Sequence, residues 1–109
     1  MSDPDASTDV IVRYDPDRHR YEVLVDGALA GFAVYHVRGG RHLFVHTEVD
    51  DAFEGRGIGS ALARGALDDV RRQGGRVVPV CPFIAGWIDK HPDYADLVYV
   101  AMTSALGAD

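Results

Sequence analysis

Hydrophobic spacing changes once along this chain, at Gly57, and that change limits the folds open to it. From there Ile58, Leu62, Ala66 and Val70 recur every four residues, joined by Ala63 and Leu67, while Arg64, Asp68, Arg71 and Arg72 take the other side. This is the period of an amphipathic helix with one buried face. Before Gly57 the period is two. In HRYEVLVDG, Tyr21, Val23 and Val25 alternate with Glu22, Leu24 and Asp26, and the preceding DVIVRYD is an apolar run between turn formers; both read as strands. Asp26-Gly27 and Gly39-Gly40 are hairpin dipeptides leading into ALAGFAVYHV and RHLFVHTEV, so a four-strand antiparallel meander is predicted.

Beyond the helix, Gly74-Gly75 forms a C-cap, and RVVPV reads as a buried strand whose Pro79, lacking an N–H, interrupts the ladder on one side. Phe83, Ile84, Trp87 and Ile88 return to helical spacing until Pro92 stops the helix, and Tyr94 to Val100 form a last short element. The predicted order is ββββαβα, an α/β (α+β) architecture with a mixed sheet. With 109 residues and 47% hydrophobic content the chain fits one domain over residues 9–109. Residues 1–8, small, polar and acidic, are expected to form a disordered tail.

Charge narrows the partners. A net charge of −6 and a pI near 5.2 oppose binding to nucleic acid or an anionic membrane, which calls for basic residues gathered on one face. No apolar run approaches the ~20 residues that span a bilayer. The opening MSDPDASTD is acidic where a signal peptide would be basic and then apolar. A cytoplasmic protein without a membrane partner is expected. The single cysteine, Cys81, excludes an internal disulfide and a multi-cysteine metal site. No metal is expected, and Cys81 is either a packed small hydrophobe or a reactive thiol.

The turn EGRGIG, Glu54 to Gly59, joins the fourth strand to the helix. Such a turn leaves the first helical N–H groups unpaired, with the positive end of the helix dipole behind them, and so suits an anion. Glycine lets the backbone approach a phosphate closely or take positive φ. The stretch lacks the lysine of a P-loop. It also has Ser60 where a dinucleotide fingerprint needs its third glycine, and no parallel βαβ unit surrounds it. Taken alone, Gly55, Gly57 and Gly59 are equally compatible with a tight strand-to-helix turn.

The longer spelling EGRGIGSALARGALD, after an antiparallel meander, resembles the acyl-CoA pyrophosphate loop of the GNAT N-acetyltransferases. That motif has Gln or Arg, then two residues, Gly, one residue, and Gly or Ala. Gly57 and Gly59 match, while Glu54 departs at the first position. Together with HTEV, VPVCPFIAGWI and HPDYADLV, it is similar to the small single-domain GNAT-like N-acetyltransferases, over roughly Tyr21 to Val98. The resemblance implies acetyl-CoA, or another acyl form of coenzyme A, in a gap between splayed fourth and fifth strands. Its pantetheine arm would pair near Val49, and its pyrophosphate would lie on the N–H groups of Gly55, Arg56, Gly57, Ile58, Gly59 and Ser60. Arg56 supplies the loop's one cation, and Glu54 is expected to point away from the phosphates. The implied activity is acyl transfer to an amine, with a basic acceptor such as a lysine-rich tail or polyamine suiting the negative chain. A non-catalytic CoA-binding or interaction module is the alternative, since the chain lacks the N-terminal helices that wall the acceptor site in larger members.

Acyl transfer needs a deprotonated amine, a polarised thioester carbonyl and a proton for the departing thiolate. Strand alternation puts His46 and Glu48 on one face with Phe44. Either could act as general base, and Glu48 matches the position of the family's glutamate. Cys81 opens the element after the gap strand, where a positive helix end favours a thiolate. In the small group a cysteine there lies near the acyl end of CoA and has been considered a nucleophile. Tyr94 is the candidate proton donor to the thiolate, by analogy with a tyrosine in many GNAT enzymes. Trp87 is assigned to the core, and Asp89, Lys90 and His91 to an exposed helix face. His19 and His42, beside hairpin turns, are assigned to solvated strand ends.

Overall fold

A computed structural model of the chain describes residues 9–53 and 56–99. The predicted N-terminal tail, Glu54, Gly55 and the last residues lie outside that range. Strands β1 (Val10–Asp15), β2 (Arg20–Val25), β3 (Ala28–Arg38), β4 (Arg41–Val49) and β5 (Arg76–Pro79) form one sheet in the order β1-β2-β3-β4-β5. The first four strands are antiparallel neighbours, and β5 runs parallel to β4. A parallel pair needs a crossover, and helix α1 (Ile58–Arg72) supplies it. Helix α2 (Pro82–Asp89) follows β5. The predicted last element is a 3-10 turn at Pro92–Leu97, after which Val98 bridges to Val77 of β5.

The mixed sheet with helices matches the expected fold class. Both hairpin turns take positive φ where the dipeptides require it, at Asp26 and Gly27 and at Gly39 and Gly40. Helix α1 buries Ile58, Leu62, Ala63, Ala66, Leu67 and Val70, the six positions of its predicted stripe. These pack with Tyr21, Val23, Val25, Ala33 and Phe44 of the sheet. Gly65 permits the close approach of β1: a Cβ there would stand 2.7 Å from the Val12 Cβ.

Two polar clusters flank this packing, one on each face of the sheet. Tyr21 donates its hydroxyl proton to Asp69 at 2.7 Å, and Gln73 donates to the same carboxylate at 2.8 Å. Across the sheet, buried Glu22 is clamped between Arg13 at 2.9 Å and Arg20 at 2.8 Å. His42 departs from expectation. It is only 6% exposed, because β5 pairs beside it and the helix C-terminus closes over it at Gly75. Its ring packs on Tyr35 and, among the described residues, its Nδ1 has no hydrogen-bond partner. Burial lowers its pKa, opposed by the nearby Asp69 charge and the Arg76 backbone. His19 is exposed in its turn.

A register shift overturns a second expectation. Val34 stands opposite His46 while Tyr35 stands opposite Phe44, which leaves Val45 as an extra residue on β4. His42 and Phe44 therefore face the helices before this bulge, and Thr47 and Val49 face them after it. His46 and Glu48 fall on the other, open face of the sheet and do not share a face with Phe44. Alternation is carried along a strand only while no residue is inserted.

Candidate functional site

Strands β4 and β5 pair from Arg41 opposite Arg76 to Phe44 opposite Pro79. The last link is the Cys81 N–H donating to the Phe44 carbonyl at 2.8 Å. Pro79 cannot donate, the Val80 N–H turns back to Val78, and Pro82 opens α2 at a position that needs no N–H. The chain consequently leaves the sheet while β4 continues to Val49. Among the described residues, His46 to Val49 thus pair with β3 on one side and with no strand on the other, and the bulge residue Val45 precedes them.

This free edge borders a cleft of about 420 Å³ lined by Thr47, Val49, Phe53, Gly57, Ile58, Gly59, Ser60 and Phe83. Gly57 caps α1 in the left-handed conformation, with φ 72°. The Ala61 N–H reaches the Gly57 carbonyl at 3.0 Å, whereas those of Ile58, Gly59 and Ser60 precede the first intrahelical bond. Gly59 has a packing role as well, since a Cβ there would lie 2.9 Å from Phe83 Cζ. The Ser60 hydroxyl accepts from the Trp87 indole at 2.8 Å, fastening α2 to α1. The Arg56 guanidinium sits 5.5 Å from the Phe53 ring centroid.

The predicted catalytic residues are not gathered in one place. Cys81 is the extended N-cap of α2, 5% exposed, and its Sγ lies 3.3 Å from Thr47 Oγ1, a hydrogen bond in which either can donate. His46 Nε2 and Glu48 Oε2 form an exposed pair at 2.7 Å on the open face. Glu48 also borders a second depression, of about 390 Å³, shared with Phe32, Val49, Asp50 and Asp51. Tyr94 stands on the flank of α1 and is absent from the cleft lining. Its hydroxyl donates to Asp68 at 2.7 Å and accepts from Arg64 at 3.2 Å, and burial together with the Asp68 carboxylate raises its pKa. Trp87 is buried as expected. His91 is not a free surface side chain: it stacks on Trp87 with centroids 3.8 Å apart.

Thr47 and Phe53 are not site candidates in the sequence, and Phe83, read there only as part of the α2 helical stripe, lines the cleft instead. Thr47 was discoverable, since it alternates with Val49, but only once the bulge was known. Among the described residues no group of three or more His, Cys, Asp or Glu could hold a metal ion, and no helix is long and apolar enough to cross a membrane.

Residues 20–97 match the family of GCN5-related N-acetyl-transferases. Protein NATD1 of Xenopus tropicalis is 31% identical over 90 residues, 81% of this chain and 83% of that protein. Protein NATD1 of Homo sapiens is 30% identical over 83 residues, 74% of each. Among solved structures, a GCN5-like protein of Staphylococcus aureus superimposes with a TM-score of 0.64 at 18% identity, over 82% of this chain and 87% of that one. The ribosomal-protein-S18-alanine N-acetyltransferase of Escherichia coli gives 0.51 at 22% identity, over 53% and 38%. At these identities the two structures speak for the fold. A free strand edge running into a glycine-capped helix, on a chain matched over residues 20–97, has one reading: the protein belongs to the GCN5-related N-acetyltransferase family.

Proposed function

We propose that the chain binds acetyl-CoA, or another acyl-CoA, along the free edge of β4 and transfers the acyl group to an amine. The observation that carries this reading is that the Val45–Val49 segment, which has no strand on its outer side among the described residues, and the Gly57-capped start of α1 line one continuous cleft. The backbone near Val49 would pair with the pantetheine arm. The N–H groups of Gly57, Ile58, Gly59 and Ser60 would hold the pyrophosphate, with Gly55 and Arg56 completing the turn by the family motif. Acyl-CoA supplies an activated thioester carbonyl when bound.

Because this part of β4 is an edge, side chains from both its faces flank the same gap. Thr47, with Cys81 behind it, comes from the helix side; His46 and Glu48 come from the open side. An amine arriving over the open face meets the His46–Glu48 pair, which can accept its proton. The depression beside Glu48, lined also by Asp50 and Asp51, suits a cationic acceptor. Cys81, buried behind Thr47, would contact the acyl end through the gap, as neighbour or as nucleophile. No role is assigned to Tyr94, whose proton is directed to Asp68.

A non-catalytic CoA-binding module is the second reading, favoured by the nearly complete burial of Cys81 and the engagement of Tyr94 elsewhere. Calorimetric titration with acetyl-CoA and free CoA, followed by intact-mass analysis and transfer assays on polyamines and lysine-rich peptides, separates the two. Transfer lost in Glu48→Gln or His46→Ala and kept in Cys81→Ser indicates direct attack by the amine. An acetyl adduct present on the unmodified protein and absent from Cys81→Ser, with transfer lost in that variant while CoA still binds, indicates a covalent route. Binding with no transfer to any amine and no adduct supports the module. Gly57→Asp places a carboxylate against the phosphates and should abolish binding in either case; absence of CoA binding in the unmodified protein overturns both.

A further inference from the structure

Three arginines gather at the β3–β4 hairpin, the end of the sheet away from the cleft. Arg38 and Arg41 are cross-strand partners, and Arg41 is the parallel partner of Arg76. They therefore share the open face with Leu43 and Val78, each two residues further along its strand. Like charges facing one another across strands are destabilising, and this chain has 17 acidic residues against 11 basic ones from which to supply partners. Arg13, Arg18, Arg20, Arg71 and Arg72 each have a carboxylate partner. Among the described residues Arg38 and Arg41 form no ion pair; nor does Arg76, although it lies near enough to Asp96 to help lower that carboxyl's pKa.

Arg41 is nevertheless held in place. Its guanidinium carbon lies 4.5 Å from the Tyr99 ring centroid. Gly39 leaves it room, since a Cβ there would come within 3.2 Å of a terminal nitrogen. Stacking occupies a face of the planar fork and leaves its N–H edges for a two-oxygen anion. Arg38, Arg41, Leu43, Val78 and Tyr99 enclose a groove of about 450 Å³, cationic at the hairpin end and apolar along Leu43 and Val78. The groove shares no residue with the CoA cleft.

We propose that this groove binds an organic carboxylate with a short apolar body. The carboxylate is received by Arg41 with Arg38 beside it, and the carbon chain lies on Leu43 and Val78. Bare phosphate satisfies the arginines and leaves the apolar part of the groove unused, which favours the carboxylate.

NMR titration of the full chain with hexanoate, hexanamide and inorganic phosphate tests this, following the Leu43 and Val78 methyls and the Arg41 Nε–H. Hexanoate should give saturable shifts at these groups in the millimolar range, unchanged by saturating CoA, and hexanamide should not. Arg41→Gln and, separately, the exposed Arg38→Gln should each raise half-saturation about tenfold, the worth of one charge-assisted hydrogen bond. Arg38→Gln guards against a packing defect from loss of the Tyr99 stack. An equal response to hexanamide, shifts that survive both substitutions, or shifts confined to Gly57–Ser60 would overturn the site. Phosphate reproducing the hexanoate shifts at the same concentration would overturn the assigned ligand class.

Discussion

The two halves of β4 are built differently, although one short strand contains both. From Arg41 to Phe44 it is paired on both sides, and His42 and Phe44 are sealed beneath α1. Beyond the bulge at Val45, His46 to Val49 are paired on one side among the described residues, and they present Thr47 and Val49 to a cleft and His46 and Glu48 to the open face. The first half holds the fold, and the second half keeps an open edge beside the cleft. A single inserted residue at Val45 and a proline-limited β5 separate the two roles.

The largest expected effect of breaking this contrast is at Phe44, which is fully buried. Phe44→Ala should cost about 3–5 kcal/mol, read as a lowered urea midpoint, whereas Thr47→Ala in the second half should cost about 1 kcal/mol, the usual worth of one hydrogen bond. Equal losses would mean that the halves do not differ. Next in size is Gly57→Ala. The new Cβ meets nothing within 4 Å, so the penalty of about 1–2 kcal/mol is that of an L-residue in the left-handed region.

A smaller effect depends on pH. Burial holds the His42 pKa below its ordinary 6.5, so between the folded value and 6.5 the unfolded chain binds more protons than the folded one. Stability then rises with pH through that window and is lost as pH falls below 6.5. Urea midpoints between pH 7.5 and 5.5 should show this slope, and His42→Phe should flatten it. Asp69, whose pKa is lowered by Tyr21, Arg72 and Gln73 against the opposing effect of burial, acts in the carboxylate range below 3.8 and does not interfere. Smallest of all is the His46–Glu48 pair, exposed on both members. Glu48→Gln should change stability by less than about 1 kcal/mol, so any loss of acyl transfer in that variant belongs to chemistry and not to folding.

Legibility in the sequence follows the same division. The meander, its turn dipeptides and the stripe of α1 were readable because each depends on neighbours within a few residues. The match of Gly57 and Gly59 to the phosphate-loop motif was readable for the same reason. Features set by contacts between distant segments were not. The bulge at Val45 depends on how β3 and β4 are aligned, and missing it put His46 and Glu48 on the wrong face. The burial of His42 depends on β5 and the end of α1 arriving beside it. The Thr47–Cys81 contact spans 34 positions in the chain and the Trp87–Ser60 bond 27, and no local period announces either.

The central claim, that acyl-CoA lies on the second half of β4 with its pyrophosphate on the α1 turn, is tested most directly by amide chemical shifts during titration with acetyl-CoA. The account predicts saturable shifts at Thr47 to Val49 and at Gly57 to Ser60, with Arg41 to Phe44 nearly still. No saturable shift in either segment, or the largest shifts at Arg41 to Phe44, would contradict it.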